Sequence, residues 1–424
     1  MSAGLKNMRM PLWAIPVGYS IAALAGGLVL PRVESLLLPQ IAAGVSAPAA
    51  MAVFSSIASG MIALTGIVFS LAFVMVQFSA TAYSPRLVLW IVRDPVLFHA
   101  MGAFTGTFLY SLGALAWVDR YGSGRVPFFS TWLAVLLLLV SVGLFVALVQ
   151  RLGILQVHRM LKFSAGRGRE AIDSLYRSRG AVAVVDADGI RGTPVTQVVN
   201  HVGPLSTIQA VDREAMGAIA ESNGAVIEVV PAVGDIVVDS MPLLRIHAAV
   251  RAVPEEALRA AVQLGDGRTF EQDPMYAIRL LVDIAIRAVS PAVNDPTTAV
   301  QALDHIEDLL VRLGRRDLDI GAFRDRAGAV RVLVPCPKWD DFLALALDEI
   351  RVCGGGSVQV VRRMKALIDD LLSALPEERH SALLHHGELL GAMVERSFAS
   401  RTERLEASIG DRQGLGGPGR LTGG

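Results

Sequence analysis

The run VPFFSTWLAVLLLLVSVGLFVALV, residues 126–149, contains no Asp, Glu, Lys or Arg. Wound as a helix with a rise of about 1.5 Å per residue, it crosses the ~30 Å hydrocarbon core of a bilayer. Three more such runs precede it: Leu12–Leu30, Met51–Thr81 and Val96–Val118, each without charge in its interior. After Arg151 charged residues occur throughout. The pattern predicts a membrane α-helical bundle of four spans over residues 1–153, followed by a water-soluble α+β part. Uncharged spans argue against a proton relay or voltage sensor built from intramembrane charges.

The flanks set an expected orientation. Lys6, Arg9, Arg86, Arg93, Arg151, Arg159, Lys162, Arg167 and Arg169 fall on one side, and only Arg32, Arg120 and Arg125 on the other. The excess predicts both termini in the cytoplasm of a multi-pass protein. The basic start before Leu12 is not followed by a small-residue cleavage site, so the first run is read as a retained span.

In the second span Ser55, Ser59, Gly66, Ser70, Gln77 and Thr81 are spaced 4, 7, 4, 7 and 4 and share one helical face. Small and hydroxyl side chains on one face either pack helices closely or line a pore, and both readings stand at this point. Gln77 is costly against lipid, which favours protein or water beside it. Gly102 and Gly106 offer a packing face on the third span. Tyr83, Ser84, Pro85 and Arg86 form an elbow between these spans and a candidate coupling loop; Asp94 before Pro95 suits a helix cap.

Beyond the membrane part the sequence reads in four pieces. Residues 154–180 form a basic amphipathic connector helix whose charges also suit anionic headgroups. Residues 181–250 form a small β-rich domain, with runs Val182–Val185, Val195–Val199 and Ala225–Val230 and a short helix from Asp212 to Asn223. Its Gly234-Asp235 turn and Pro242-Leu243 strand are similar to the small β-barrels related to lipoyl-carrier domains, though no lysine occupies the hairpin. Residues 251–400 are helical, with Asp273-Pro274 and Asp295-Pro296 as cap-plus-proline starts. Residues 401–424 are read as a flexible tail.

Chemistry is sparse. Thirty-nine basic and 39 acidic residues cancel, giving no argument for a nucleic-acid partner. Cys336 and Cys353 carry neither a disulfide framework nor a zinc spacing and are read as free thiols. No nucleophile motif, phosphate loop or dinucleotide fingerprint has the right context, so no enzyme activity and no cofactor are expected. The turn of Ser290, Asn294 and Asp295 is a cap first. A cation site with Asp283, Asp304, His305 and Asp308, or an interface role, is the sharper alternative. His380, His385 and His386 face different directions and are not expected to share a metal.

Several segments are distinctive together: Ser79-Ala-Thr-Ala-Tyr83-Ser84-Pro85-Arg86, Gly234-Asp235 with Pro242-Leu243, Ser290-Pro291-Ala-Val-Asn294-Asp295-Pro296, and Val334-Pro335-Cys336. With the four spans, they resemble the predicted bacterial membrane protein family called domain of unknown function 2254, over roughly residues 10–400. The resemblance implies a bacterial inner-membrane location and the same two-part plan, and it carries over no catalytic residues. Four spans in one subunit rarely enclose a water-filled path. The expectation is therefore a homo-oligomeric channel or pore-like transporter for a small ion or solute. The alternative is a membrane-anchored sensor or scaffold whose soluble part binds a ligand or partner.

Overall fold

The computed structural model describes residues 12–37, 46–82, 95–118, 126–152, 157–176, 192–249 and 251–416. The side chains of residues 72, 75–82, 95, 151 and 152 lie outside that description. The chain divides into two compact units, Met1–Gln156 and Val157–Gly424.

The first unit contains α1 (Ala14–Leu37), α2 (Ala47–Ala82), α3 (Pro95–Leu115) and α4 (Phe128–Leu152), all four long and apolar enough to span a membrane. α3 is the centre: half of its apolar window is buried, against 11% for α1. Glycines make this possible. A Cβ on Gly27 would stand 2.5 Å from the Tyr110 carbonyl oxygen, and one on Gly113 would stand 3.1 Å from the Gly27 carbonyl carbon. Gly102 and Gly106 sit as closely against Tyr19 and Ala23 of α1, so the small-residue face foreseen on this span packs against the first helix. Hydroxyls tie the remaining contacts. Thr107 and Ser141 are hydrogen-bonded at 3.0 Å between α3 and α4, and the Tyr110 hydroxyl donates to the Ser130 carbonyl.

One acid was missed by the sequence reading. The first span was expected to stop at Leu30, before Pro31-Arg32, but α1 continues through Pro31 to Leu37. Glu34 thereby becomes buried, 7% exposed, at the start of α4. Its carboxylate accepts from the Phe129 and Ser130 amides at 2.8 and 3.1 Å and from the Ser130 hydroxyl at 3.0 Å. Those amides have no partner inside their own helix, and the positive end of the helix dipole favours a carboxylate there.

The second unit opens with α5 (Val157–Leu175), within the segment expected to form a basic amphipathic connector. Its apolar face is part of the core. Met160, Leu161, Ala165, Gly168 and Ile172 are buried, and a Cβ on Gly168 would press within 2.9 Å of both Ala277 and Leu309. Its amphipathic period was legible; what covers the apolar face was not.

Next come β1 (Val195–Asn200), β2 (Ser206–Val211), α6 (Arg213–Ser222), β3 (Val226–Val229), β4 (Ile236–Val237), β5 (Pro242–His247), α7 (Glu255–Ala260) and β6 (Val262–Gly265). The run Val182–Val185 lies outside the described residues. The helical part holds α8 (Pro274–Ala288), α9 (Pro296–Gly314), α10 (Trp339–Gly354), α11 (Val358–Ala374), α12 (His380–Ser397) and α13 (Arg401–Ala407), interrupted by β7 (Ala322–Arg324) and β8 (Val330–Leu333).

Among the described residues no closed barrel forms, and the strands make two open sheets, β1-β5-β3-β8-β7 and β4-β2-β6. β4 is two residues long, and Ser240, at φ +67°, turns the chain so that the following β5 joins the other sheet. The sheet is completed by β8, paired in parallel with β3 from a hundred residues away, which no local pattern could announce. The tail also differs from expectation. α13 has a capping box at Ser400, and Gly410 and Gly414 pack against Ala366 and Val300. Arg362, buried in α11, donates to the Ile409 carbonyl, which fixes the segment.

Burial in the helical part has a pH consequence. His386 is 7% exposed, and its Nδ1 lies 3.6 Å from Asp348 Oδ1, beyond hydrogen-bond reach. Desolvation holds its pKa below the ordinary imidazole value; His385 and Arg351 push the same way, and Asp348 and Asp340 oppose. The unfolded chain therefore takes up the proton first. Stability from the neutral ring is present above about pH 6.5 and is lost as pH falls through that value toward the folded pKa. Half-buried His305 is lowered by the same cause and adds to the trend. The melting temperature should fall on acidification from about pH 7.5 to 5.5, less so in His386→Leu. An equal slope in that variant would remove His386 from the explanation.

Candidate functional site

In the membrane unit the candidate stripe is turned outward. Ser55, Ser59, Gly66 and Ser70 are exposed on the single chain, and no heavy atom stands within 4 Å of where a Gly66 Cβ would be. The face of α2 that packs onto its own bundle holds Phe54, Ile57, Ala58, Met61 and Val68. At 100° per residue the two sets point roughly 150° apart. The stripe is thus not the packing face within one chain, because the bulky apolar residues fill that role. Ile62, Phe69 and Phe73 flank it, also exposed. The backbone of α2 continues through Gln77 and Thr81, whose side chains lie outside the described ones, as do Tyr83, Ser84, Pro85 and Arg86 altogether.

In the second unit the turn before α9 is built as a cap. Asp295 accepts from the Thr298 amide at 3.1 Å and the Thr298 hydroxyl at 2.6 Å, with Pro296 at the first helical position. The Ser290 hydroxyl donates to the Arg287 carbonyl, and Asn294 takes φ +49°, which a short polar side chain tolerates. The acids weighed as cation ligands are engaged elsewhere: Asp283 with Arg279, Asp304 with Arg363 and Asp308 with Arg169. Among the described residues no three His, Cys, Asp or Glu side chains are placed to hold a metal ion.

Two of the distinctive segments, Gly234-Asp235 and Val334-Pro335-Cys336, meet across a cleft of about 330 Å³. Gly234 has φ +94°, a backbone conformation that favours glycine, and the Arg268 guanidinium lies directly over it. Arg268 Nε donates to Asp273 at 2.6 Å. Asp273 is 3% exposed and caps α8 by accepting from the Tyr276 amide. On the opposite wall Arg213 donates to the Ile320 carbonyl at 2.7 Å and to Cys336 Sγ at 3.7 Å. Burial pushes the Cys336 thiol up, which keeps it protonated despite that guanidinium. Tyr176, just past α5, closes the floor with its ring edge-on to Phe342. Sequence reasoning flagged the two motifs but not Tyr176, Arg213 or Arg268, which come from separate elements with no shared spacing.

The architecture is that of an integral membrane protein: four apolar spans and a separate α+β unit. The chain belongs to the family described as "Predicted membrane protein (DUF2254)", whose model matches residues 9–370. It is similar to the uncharacterized protein Mb1321c of Mycobacterium bovis and the uncharacterized protein Rv1290c of Mycobacterium tuberculosis. Each is 27% identical over 416 residues, covering 94% of this chain and 79% of the relative. No solved structure matches.

Proposed function

We propose that the protein is a homo-oligomeric channel or pore-like transporter of the bacterial inner membrane, with both termini and the second unit in the cytoplasm. The outward face of α2 carries the proposal. A face of small and hydroxyl side chains, opposite the helix's packing face, suits a second copy or water better than lipid. Copies arranged with these faces around an axis would supply the path that four spans alone cannot enclose. Phe69 and Phe73, flanking the stripe between Gly66 and Gln77, would form an apolar constriction. The proposal includes no catalytic step and no cofactor. A membrane-anchored sensor or scaffold is the second reading, favoured by the cleft beside Cys336.

Mass determination by light scattering in nanodiscs, followed by imaging, is the test. A closed ring with α2 lining its axis is expected; a monomer with α2 against lipid would sink the idea. Gly66→Leu adds a bulky side chain to the subunit face, at a cost of about 1–3 kcal/mol per contact, and should shift the mass to smaller species. Gln77→Leu should change conductance or selectivity in reconstituted vesicles, and unchanged flux would remove Gln77 from the path.

A further inference from the structure

We propose that the outer face of the first two turns of α5 binds the anionic phospholipid headgroups of the bilayer that α4 spans. Four residues, 153–156, separate Leu152 of α4 from Val157 of α5. Fully extended they reach at most about 18 Å, so the chain itself keeps these turns close to the end of a span. Met160, Leu161, Ala165 and Gly168 are buried in the core of the second unit. The apolar face is thus taken, and α5 cannot lie in the bilayer as an inserted amphipathic helix. What it offers outward is charge. His158, Arg159 and Lys162 are exposed, with Phe163 38% exposed beside them.

The charge is divided unevenly along the helix. Farther from the membrane every cation of α5 has an acid: Arg167 pairs with Glu170 at 2.7 Å and Arg169 with Asp308 at 2.8 Å. The acid there is matched too, since Asp173 receives both Arg312 and Arg316. In the membrane-proximal turns, among the described residues, Arg159 and Lys162 have neither an ion pair nor a hydrogen bond. The neighbouring sequence supplies no acid, because no Asp or Glu occurs between Asp119 and Glu170. Two cations three residues apart share a face and repel unless an anion stands before them. Lipid phosphates are the anions within reach. The Arg159 fork can take two phosphate oxygens while Lys162 acts as a point charge. An anionic leaflet attracts basic segments beside a span, and a half-exposed aromatic such as Phe163 suits the headgroup level.

A label at position 166 reports the contact. Gly166 lies on the same outer face, and no heavy atom stands within 4 Å of its Cβ direction. In the full chain with Cys336→Ser and Cys353→Ser, Gly166→Cys carries a nitroxide. Its collision rate with an uncharged aqueous nickel chelate is measured in nanodiscs of phosphatidylcholine, with and without phosphatidylglycerol. The anionic lipid should lower the rate several-fold at position 166. It should leave unchanged a label at Gly391→Cys, an exposed position on α12 with the same open surroundings. Each cation near an anionic surface favours contact by roughly fivefold, so Arg159→Gln with Lys162→Gln should lower the contact ratio by roughly 25-fold. The collision rate then recovers, as it should in the parent at about 1 M salt, where the Debye length is about 3 Å. In phosphatidylcholine discs the double variant should melt with the parent, because neither side chain has a protein partner to lose. The proposal is overturned if anionic lipid leaves position 166 open, or if the double variant is occluded as the parent is. Equal occlusion in phosphatidylcholine discs would place a second copy of the chain on this face and overturn it too, as would occlusion by inorganic phosphate alone. None of these outcomes depends on flux, so the pore reading stands or falls separately.

Discussion

Gly27→Val should prevent the membrane unit from assembling, while Gly18→Val on the same helix is tolerated. The new Cβ at position 27 would stand 2.5 Å from the Tyr110 carbonyl oxygen and 3.1 Å from its Cα. Both are backbone atoms and cannot rotate away, so α1 must move off α3. That movement also separates Gly113 from Gly27 and strips contacts along the crossing. Van der Waals contact is the main attraction between helices in lipid, so the loss is not regained elsewhere. A cost of about 3 kcal/mol or more is expected. Gly18 has no heavy atom within 4 Å of its Cβ direction and is the internal control. Detergent-titrated unfolding measures both, and equal stability of the two variants would refute this packing.

Asp273→Ala should be the most damaging single change of a polar residue in the second unit. The carboxylate caps α8 and pairs with Arg268 while only 3% exposed. Losing the cap costs about 1 kcal/mol, and leaving Arg268 without its partner adds to that. The Arg268 side chain keeps 37% exposure, so water offsets part of the loss, and a total of about 2–3 kcal/mol is expected. Asp295→Ala removes the same cap-plus-proline start at α9, where no arginine depends on it, and should cost only about 1 kcal/mol. Thermal unfolding of the full chain compares the two; a smaller effect at position 273 than at 295 would contradict the paired-cap account.

These two aspartates also mark how far the sequence could be read. Both caps were visible because aspartate before proline is a local signal, satisfied by an amide three residues on. The four spans were visible because charge is excluded from long runs. What joins distant segments was not. β8 completes a sheet begun a hundred residues earlier, and Tyr176 meets Cys336 only after both units of secondary structure around them have formed. Glu34 escaped because Pro31 and Arg32 look like the end of a span, although a helix can run through a proline at the cost of one hydrogen bond and a local kink. The stripe on α2 was visible as a pattern, but its direction depended on which face the larger apolar residues claimed.

The Glu34 cap bears on how the chain is made. Its amide partner at Phe129 lies 95 residues downstream. At 5–20 residues per second, roughly 5–20 s pass between their synthesis. Through that interval the carboxylate must be solvated by water at the membrane surface, because a bare charge cannot enter hydrocarbon. The last turn of α1 therefore settles only when the first turn of α4 emerges beside it. A ribosome halted before residue 128 should leave Glu34 open to water, and one halted after α4 is complete should not.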